Sequence, residues 1–298
     1  MSITRLGHIG LVVPDVDRYA AFLVDGLGLR EVAREPDHLL LGLNSRHHQV
    51  RLSEGPYGCD GIGFDVTDAA GLAALRERIE SAGLAITRDT PVHPSIAEGF
   101  SFAVPGGPSV ELCVGAATAP DLAGDPLDHY RVKHGRTTKL RKLGHVSVGS
   151  PDPASVQRLF VEVLGFRVSD RFGDVLTWAR CNSDHHTVGF APAAAPGAQH
   201  VAYELESFAH YEELADRLAQ RGTRLLWGPG RHGPGNNLFV YFLDPEGGMI
   251  EVYSDMVRIE NDADYVAHEW DDLQMVGNSW GPLPDPAWAT MLTPFVPA

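Results

Sequence analysis

The chain has 298 residues, with 44% hydrophobic and 21% charged residues and a formal net charge of −15. This length predicts about two domains with well-formed cores. The acidic balance argues against nucleic acid and against an anionic membrane surface as partners, because both bind basic patches. The sequence shows no signal-peptide pattern and no apolar run near the ~20 residues that cross a bilayer. We therefore expect a cytoplasmic protein.

The three cysteines are far apart in the sequence and form no C-x-x-C motif. An odd number at such spacing argues against a disulfide framework and against a structural zinc site. A reducing cytosol fits this usage best. The residues are Cys59, Cys113 and Cys181.

An internal repeat with a shift of about 137 residues divides the chain into two similar halves. The matching segments are 6–15 with 143–152, 61–66 with 200–205, and 109–114 with 249–254. Self-similarity at a fixed shift is the mark of a duplicated structural unit. The repeat predicts an N-terminal domain over 1–115, a linker over 116–141, a C-terminal domain over 142–255 and a tail over 256–298.

Each half divides again into two units that begin with a strand and a helix. An Asp or Ser precedes each helical pattern and a Gly follows it, as N-caps and αL C-caps prefer. The helices are predicted over 15–25, 68–82, 153–164 and 208–221, with N-caps Asp15, Asp68, Asp152 and Ser207 and closing glycines Gly26, Gly83, Gly165 and Gly222. Short alternating runs predict further strands over 38–43, 49–52, 175–179 and 186–190. The chain therefore reads as four β-α-β-β-β modules of the α+β class.

Three connecting segments stand outside this repeat. The linker ends in a basic run that we interpret as a solvated connector: Lys133, Arg136, Lys139, Arg141 and Lys142. Residues 191–198 are interpreted as a stiff loop, because they are rich in Ala and Pro. The tail has three tryptophans and is predicted to pack as an irregular arm against the core or a neighbouring subunit.

Two histidines and one glutamate stand on predicted strands of the second half: His145, His200 and Glu251. Two imidazoles and one carboxylate on one face form the triad typical of non-heme Fe(II) sites, which leaves coordination positions open for substrate and dioxygen. In the first half, His8 and Glu111 correspond to His145 and Glu251, but Gly61 stands in place of His200. We therefore expect one metal per chain, in the C-terminal domain, and a hydrogen-bonded His8–Glu111 pair.

The window 230–251 contains His232, seven further residues, the aliphatic Val240, Tyr241, two more residues and Asp244-Pro245, and it ends at Glu251. With the triad, this window resembles the signature of type I extradiol ring-cleavage dioxygenases of the vicinal oxygen chelate superfamily. The resemblance covers roughly residues 5–255. It implies two tandem glyoxalase/bleomycin-resistance-like domains, the first a degenerate copy without a metal site. It also implies that a catecholic ring is opened beside its vicinal diol by O2 at a mononuclear Fe(II), with Mn(II) as the alternative metal.

The resemblance implies roles for further residues. His186, the second histidine of a His-His pair, is implied as the acid/base, since a cavity-facing His186 leaves His185 on the opposite face of an extended strand. A one-residue slip of the strand would exchange the two histidines, so His185 stays open as the alternative. His232 is implied to hydrogen-bond a substrate oxygen, and Tyr241 to donate to the catecholate. We assign Trp178, Phe190 and His185 as candidate substrate contacts.

Several alternatives stay open at this point. Another metal-dependent enzyme of the superfamily, of the glyoxalase or epimerase kind, would need the metal but not His186, His232 and Tyr241. A small-molecule-binding protein of the same superfamily would need no metal triad. The substrate could be a monocyclic, bicyclic or biaryl catechol. The resemblance also implies a homo-oligomer.

Overall fold

The structure is a computed structural model that describes residues 2–119 and 140–297. Most of the predicted linker, including Lys133, Arg136 and Lys139 of its basic run, lies outside these residues. Within the described ranges, no helix is both long and apolar enough to span a membrane.

The first half of the chain folds around one sheet whose strands lie in the order β2-β3-β4-β1-β5-β8-β7-β6. Strand β1 pairs in parallel with β4 and antiparallel with β5, and β5 pairs in parallel with β8. The strands are β1 Ile3–Val13, β2 Arg30–Arg34, β3 His38–Gly42, β4 Val50–Glu54, β5 Gly58–Val66, β6 Ile86–Arg88, β7 Ile96–Ala103 and β8 Ser109–Ala116.

The second half repeats this arrangement in a second sheet, in the order β14-β15-β16-β13-β9-β12-β11-β10-β17, with β18 paired to β13. Strand β9 pairs in parallel with β12 and antiparallel with β13, and β13 pairs in parallel with β16. The strands are β9 Leu140–Ser150, β10 Arg167–Phe172, β11 Leu176–Arg180, β12 Val188–Pro192, β13 Gly197–Leu205, β14 Leu225–Arg231, β15 Leu238–Leu243, β16 Met249–Ser254, β17 His268–Trp270 and β18 Thr293–Pro294. The predicted α+β fold of four β-α-β-β-β modules is confirmed.

The helices begin where the sequence predicts. The helices are α1 Val16–Ala21, α2 Ala69–Ser81, α3 Pro153–Arg158, α4 Tyr211–Gln220 and α5 Leu273–Gly277. The side chains of Asp15, Asp68 and Asp152 each accept a backbone N–H of the first turn. The predicted cap at Ser207 is weaker, because it precedes a short 3-10 turn and its side chain makes no capping bond.

The predicted end of the first helix at Gly26 is wrong. After α1 the chain continues as a π-helical segment, Phe22–Leu27, and the left-handed cap is Gly28, with a φ of 80°. The wider turn buries Gly26 instead of ending the helix there. The other closing glycines, Gly83, Gly165 and Gly222, all have positive φ, as a C-cap requires.

The tail and the loop before β13 are more regular than expected. Tail strand β17 pairs in parallel with β10, and β18 pairs antiparallel with β13, so the tail extends the second sheet. Most of the tail still has the irregular backbone that was predicted and packs on the core, while these two short strands, of three and two residues, are its regular parts. Strand pairing at both ends also shortens the loop predicted over 191–198, since β12 ends at Pro192 and β13 begins at Gly197.

The two halves share one hydrophobic core and are joined by a polar contact at Asp244. This carboxylate, in the Asp-Pro-Glu-Gly-Gly turn of the second half, accepts hydrogen bonds of 2.7 Å from the hydroxyls of Tyr19 and Tyr57 in the first half. It also accepts the backbone N–H groups of Glu246 and Gly248. The turn is thus fixed to the first half, which braces the strand that carries Glu251.

Candidate metal centre and active site

The three predicted metal ligands converge because of the strand register. His145 of β9 and Glu251 of β16 both stand directly opposite Ala202 of β13, one on each side. His200 precedes Ala202 by two residues and therefore lies on the same face of β13. The small side chain of Ala202 leaves the space between the two flanking strands free for the imidazole and the carboxylate.

The ligand atoms lie at nearly equal distances from one another. His145 Nε2 is 2.9 Å from Glu251 Oε2 and 3.2 Å from His200 Nε2, and His200 Nε2 is 3.2 Å from Glu251 Oε2. Three adjacent ligands of an octahedral ion, each about 2.1 Å from it, are about 3.0 Å apart. The triangle therefore has the dimensions of one face of an octahedron.

Hydrogen bonds behind the triad set the direction of the ligand atoms. His200 Nδ1 contacts the side-chain oxygen of Gln199, which holds a proton on Nδ1 and leaves the Nε2 lone pair facing the triad. Glu251 Oε1 accepts the Asn237 amide at 3.1 Å, so Oε2 is the oxygen that faces the histidines. The Nε2 atoms of the two imidazoles and the carboxylate oxygen thus meet at one position, each able to offer a lone pair. The donor set thus fits a divalent transition metal.

Burial controls the charge of these groups. Burial alone would raise the pKa of Glu251, but the imidazoles of His145 and His200 lower it more, so it lies well below its usual range. Burial lowers the pKa of His200 despite the nearby carboxylate. An ionised Glu251 and a neutral His200 are the states in which these two residues bind a metal.

The N-terminal half contains an altered copy of the same arrangement. His8 and Glu111 flank Gly63 as His145 and Glu251 flank Ala202, and His8 Nε2 lies 2.7 Å from Glu111 Oε2. The two side chains are thus in contact, but Glu111 Oε2 lies outside the geometry of the predicted hydrogen bond. Arg46 Nη2 approaches His8 Nδ1 at 3.2 Å, so a guanidinium lies next to the incomplete ligand set. Its positive charge opposes a second cation at His8 and Glu111.

His186 lies directly behind the triad, with its ring centroid 4.4 Å from that of His145. It precedes the observed strand β12 by two residues, so the strand predicted over 186–190 begins later than expected. Burial, followed by the charge of His145, lowers the pKa of His186 well below its usual value. The structure thus places a neutral imidazole at the wall of the cavity beside the triad.

His185 does not fit the substrate contact assigned to it. It lies outside the cavity lining and is 1% exposed, with Nε2 3.1 Å from Asp170 Oδ2 but outside hydrogen-bond geometry. The chain bends at residue 185, before β12 begins, and the Nδ1 atoms of His185 and His186 lie 3.0 Å apart, so His185 packs against His186 and not into the cavity. Trp178 and Phe190, the other two predicted contacts, do line the cavity.

His232 and Tyr241 form a chain of contacts that leads to Glu251. Tyr241 donates its hydroxyl to Glu251 Oε2 at 2.9 Å and lies 3.2 Å from His232 Nε2. His232 Nδ1 lies 2.6 Å from the carbonyl of Gly277, so it carries the proton and Nε2 is the acceptor that faces the cavity. Burial lowers the pKa of His232 to about 4, which keeps the ring neutral at neutral pH.

Sequence reasoning missed two sets of residues at this site and one further match between the two halves. Gln199 contacts His200, and Asn237 donates to Glu251. Neither was predicted, although Gln199 is adjacent to His200 and Asn237 lies between His232 and Tyr241 in the sequence. In the tail, the carbonyl of Gly277 orients His232, a contact that the sequence did not reveal. Residues 44–50, Asn-Ser-Arg-His-His-Gln-Val, also repeat residues 182–188, Asn-Ser-Asp-His-His-Thr-Val, which the comparison of the two halves could have found.

A cavity of about 440 Å³ opens above the triad. Strands of the second sheet form its floor and two sides, and the tail closes it from above through Leu273, Val276, Leu283, Trp288 and Leu292. Among the described residues that line it, none is a Lys or an Arg. Its size is in the range of small-molecule sites, and polar groups are concentrated at the triad end.

The family model described as "Glyoxalase/Bleomycin resistance protein/Dioxygenase superfamily" matches residues 5–112 and 142–252. The chain belongs to this superfamily. The two matched segments coincide with the two repeated halves, so both copies of the superfamily fold are present.

Named relatives within the superfamily cover most of the chain. Metapyrocatechase 2 from Cupriavidus necator is 28% identical over 86% of this chain and 82% of its own. Biphenyl-2,3-diol 1,2-dioxygenase from Paraburkholderia xenovorans (strain LB400) is 29% identical over 84% and 87%. The iron-dependent extradiol dioxygenase from Rhodococcus jostii (strain RHA1) is 26% identical over 94% and 98%.

Solved structures agree with this placement. A Mn(II)-bound glyoxalase from Novosphingobium aromaticivorans has a TM-score of 0.84 and 29% identity, and covers 96% of this chain and 95% of that chain. Homoprotocatechuate 2,3-dioxygenase from Arthrobacter globiformis has a TM-score of 0.87 at 24% identity, with coverages of 98% and 92%. The second likeness shows the shared fold.

Proposed function

We propose that the protein is an extradiol dioxygenase, which uses O2 to open a catecholic ring beside its vicinal diol. The ligand atoms of His145, His200 and Glu251, only 2.9–3.2 Å apart at the floor of an apolar cavity, carry this proposal. The names of the metapyrocatechase, the biphenyl-diol dioxygenase and the iron-dependent extradiol dioxygenase support it.

The metal that fits this ligand set is Fe(II), with Mn(II) as the alternative, because both accept imidazole and carboxylate ligands. When bound, the ion supplies a Lewis acid for the two diol oxygens and an electron path between the ring and O2. The relatives support both metals, since one is named iron-dependent and a solved structure of the superfamily is Mn(II)-bound. The triad leaves open the side of the metal position that faces the cavity.

Three other residues are proposed to act on the substrate. Tyr241 is the hydrogen-bond donor to a catecholate oxygen, because burial and the Glu251 carboxylate raise the pKa of its hydroxyl well above the usual value. His232 accepts a substrate proton at Nε2, since its Nδ1 is held by the Gly277 carbonyl. His186 is the acid/base on the opposite side of the triad, beside His145.

The cavity favours a neutral, mainly apolar catechol. Its walls are formed by Trp178, Phe190, Trp227 and Trp288, and the acidic residue at its rim, Asp285, disfavours an anionic substituent. A carboxylate buried without a positive partner would cost several kcal/mol. We therefore propose Trp178 and Phe190 as contacts of the ring or its apolar substituent.

The remaining organisation follows from this function. We propose that residues 1–115 form a supporting domain and 142–255 the catalytic domain, joined by the linker over 116–141, with 256–298 closing the cavity. A cytosolic location is supported by three buried cysteines that form no disulfide. Assembly into a homo-oligomer remains a prediction.

Anaerobic reconstitution with Fe(II), followed by O2 uptake in the presence of a catechol panel, tests the function. We expect one O2 consumed per catechol and a yellow ring-opened product. Glu251→Gln removes a ligand charge and should abolish both signals, whereas Glu260→Gln, an exposed carboxylate, should leave them unchanged. Iron-loaded protein that consumes no O2 with any catechol would refute the proposal.

A glyoxalase-like isomerase is the second candidate, favoured by the 29% identity to the Mn(II)-bound glyoxalase. Such an enzyme needs the triad but has no use for O2. The same experiment distinguishes the two, because an isomerase leaves the oxygen signal flat. Retention of its turnover in His186→Phe and Tyr241→Phe would support the isomerase.

A further inference from the structure

We propose that the N-terminal domain holds a second transition-metal site, formed by His38, His93 and Glu35. These residues lie in the first sheet, in a different half of the chain from the His145–His200–Glu251 triad. The inference does not depend on the proposed dioxygenase activity. It also differs from the expectation of one metal per chain, which considered only the incomplete copy at His8, Gly61 and Glu111.

The three ligand atoms converge from two segments. Glu35 and His38 close the hairpin between β2 and β3, where the Glu35 backbone N–H donates to the His38 carbonyl at 2.9 Å. His93 lies in the loop that precedes β7 and reaches across to the hairpin. Its Nε2 is 2.9 Å from Glu35 Oε1, and His38 Nε2 is 3.5 Å from Glu35 Oε2.

These separations suit a bound ion. One ligand atom from each of the three residues lies within 4.8 Å of the others. Two ligands of a tetrahedral ion, each about 2.1 Å from it, are about 3.4 Å apart. His38 Nε2 is buried and has no hydrogen-bond partner among the described residues, so the geometry leaves its lone pair available.

Polar groups contact the Nδ1 atoms of both imidazoles. Asp37 Oδ1 lies 2.7 Å from His38 Nδ1, an arrangement of carboxylate and histidine that is common behind metal ligands. Ser95 Oγ lies 2.8 Å from His93 Nδ1. The Ser95 backbone N–H also approaches this nitrogen, at 3.0 Å. In the structure Nδ1 accepts this N–H, so Nε2 carries the proton that faces Glu35 Oε1, and an ion at Nε2 must displace that proton.

Two further histidines, His47 and His48, lie next to His93 on the buried side of the site. The ring of His47 stacks on that of His93, with centroids 5.3 Å apart. His47 and His48 also form a second group with His93 in which the ligand atoms lie within 4.8 Å. His47 does not belong to the group formed by His38, His93 and Glu35, so these three residues leave the remaining position of a tetrahedral ion to solvent.

The site is accessible from solvent and lies beside an acidic surface cleft. Glu35 is 39% exposed, whereas the side chains of His38 and His93 are 12% and 6% exposed, so the site is reached from solvent through the carboxylate. A surface cleft beside it is lined by Asp15, Asp17, Glu35, Asp37 and Glu54 against a single Arg34. Its negative potential concentrates cations.

The ligands are not merely remnants of the duplication. His47 and His48 correspond to His185 and His186 in the repeat, but Glu35 and His38 have no counterparts there, since residues 173–176 are Gly-Asp-Val-Leu. The mainly imidazole donor set favours a divalent ion of the zinc, cobalt or nickel type over Mg²⁺ or Ca²⁺. Such an ion would join the β2–β3 hairpin to the loop before β7.

Metal counting on the full-length protein tests this site. Chelator-treated protein is equilibrated with Zn²⁺ under nitrogen, and bound metal is measured per chain by mass spectrometry and calorimetry. We expect two ions in the unmodified protein, and one in Glu35→Gln and in His93→Gln. Glu31→Gln, an exposed carboxylate on the same hairpin, is the matched control and should retain two. In a Glu251→Gln background, Zn²⁺ should still raise the thermal unfolding midpoint.

The outcomes separate this proposal from the dioxygenase proposal. If Glu35→Gln and His93→Gln bind as many ions as the unmodified protein, the second site is refuted. The same holds if Glu251→Gln leaves no bound ion. Glu35 is partly exposed, so its substitution tests the site even if His93→Gln folds poorly. Loss of one ion in Glu35→Gln together with full oxygen uptake would support the second site.

Discussion

Tyr241 and Glu251 form a cross-strand pair in which the tyrosine hydroxyl donates to the carboxylate oxygen that faces the metal ligands. The two residues stand directly opposite each other in the β15–β16 ladder, and the O–H to Oε2 distance is 2.9 Å. His145 Nε2 lies at the same distance from this oxygen. The pair therefore links the proposed metal ligand to the proposed substrate donor.

Tyr241→Phe should reduce kcat/KM for a catechol by about 10- to 100-fold, the usual effect of removing a group that supports a metal ligand. The metal content should stay near one ion in the C-terminal site, since all three ligands remain. Steady-state kinetics and metal analysis measure both. Tyr211→Phe removes a buried hydroxyl bonded to backbone carbonyls, outside the cavity, and should leave kcat/KM unchanged. Equal losses in both variants would argue against a specific role for Tyr241.

His186→Phe should lower kcat by about 10²- to 10⁴-fold, because it removes the proposed acid/base while keeping a ring of similar shape. Catechol and metal should still bind, since His186 is not among the three ligands. Single-turnover kinetics with metal-loaded protein separate binding from chemistry. His210→Asn, a histidine outside the cavity, serves as the control. Unchanged kcat in His186→Phe would remove it from the mechanism.

Trp288→Ala should change the preference between small and large catechols. The Trp288 ring lies 5.4 Å from Trp227 and 5.6 Å from Tyr241, so the substitution opens the wall of the cavity formed by the tail. We expect kcat/KM for a methylcatechol to fall about 10-fold, with a smaller loss for a biaryl diol that fills the space. Trp280→Ala, at a half-exposed position of the same tail, is the control. An equal loss for both substrates would contradict this role.

Neutral catechols should be preferred over carboxylated catechols of similar size by at least about 10-fold in kcat/KM. The described lining of the cavity supplies no cationic side chain, and the rim carries Asp285. An unpaired carboxylate would lose its hydration without compensation. Competition assays with a methylcatechol and a catechol carboxylate measure the ratio. A preference for the carboxylate would show that the anion is bound by a group outside this wall.

Asp65→Asn should destabilise the protein at neutral pH, with a cost that shrinks in acid. Burial alone would raise the pKa of Asp65, but Arg46 at 2.9 Å lowers it to about 2. A folded-state pKa below the unfolded value of about 4 means that the stabilisation is full above pH 4 and is lost as the pH falls toward 2. The pH-dependent part is about 2 kcal/mol.

Urea unfolding of Asp65→Asn and the unmodified protein between pH 7 and pH 3 measures this difference. In an Arg46→Met background, the same substitution should lose most of its pH dependence, because the partner charge is absent. A difference in unfolding free energy that stays constant over this range would show that the ion pair does not set the pKa of Asp65.

Local sequence patterns were sufficient to predict most of the fold. Asp15, Asp68 and Asp152 cap helices because an N-cap acts within three residues. The repeat predicted the modules. The strand register agrees with the predicted match of Gly61 to His200, because Gly61 pairs with Gly10 of β1 and His200 pairs with the equivalent residue of β9, Ser147. The end of the first helix was missed because a π-helical turn is decided by packing.

The site was partly predictable for the same reason. The strand positions of His145, His200 and Glu251 follow from local patterns, but the placement of His185 does not, because the chain bends at this residue before β12 begins. The contacts of Gly277 with His232 and of Asp244 with Tyr19 join residues 45 and 225 positions apart. No local pattern encodes such separations.

By itself, the sequence determined the duplicated fold, the three ligand types and their strand positions, because helix capping, strand period and repeat spacing all act over short distances. Only the tertiary structure decided that the three ligand atoms meet within 3.2 Å, that the tail closes the cavity, and that Glu35 and His93 adjoin. These contacts depend on how the sheets twist and pack, which is set by the whole core at once.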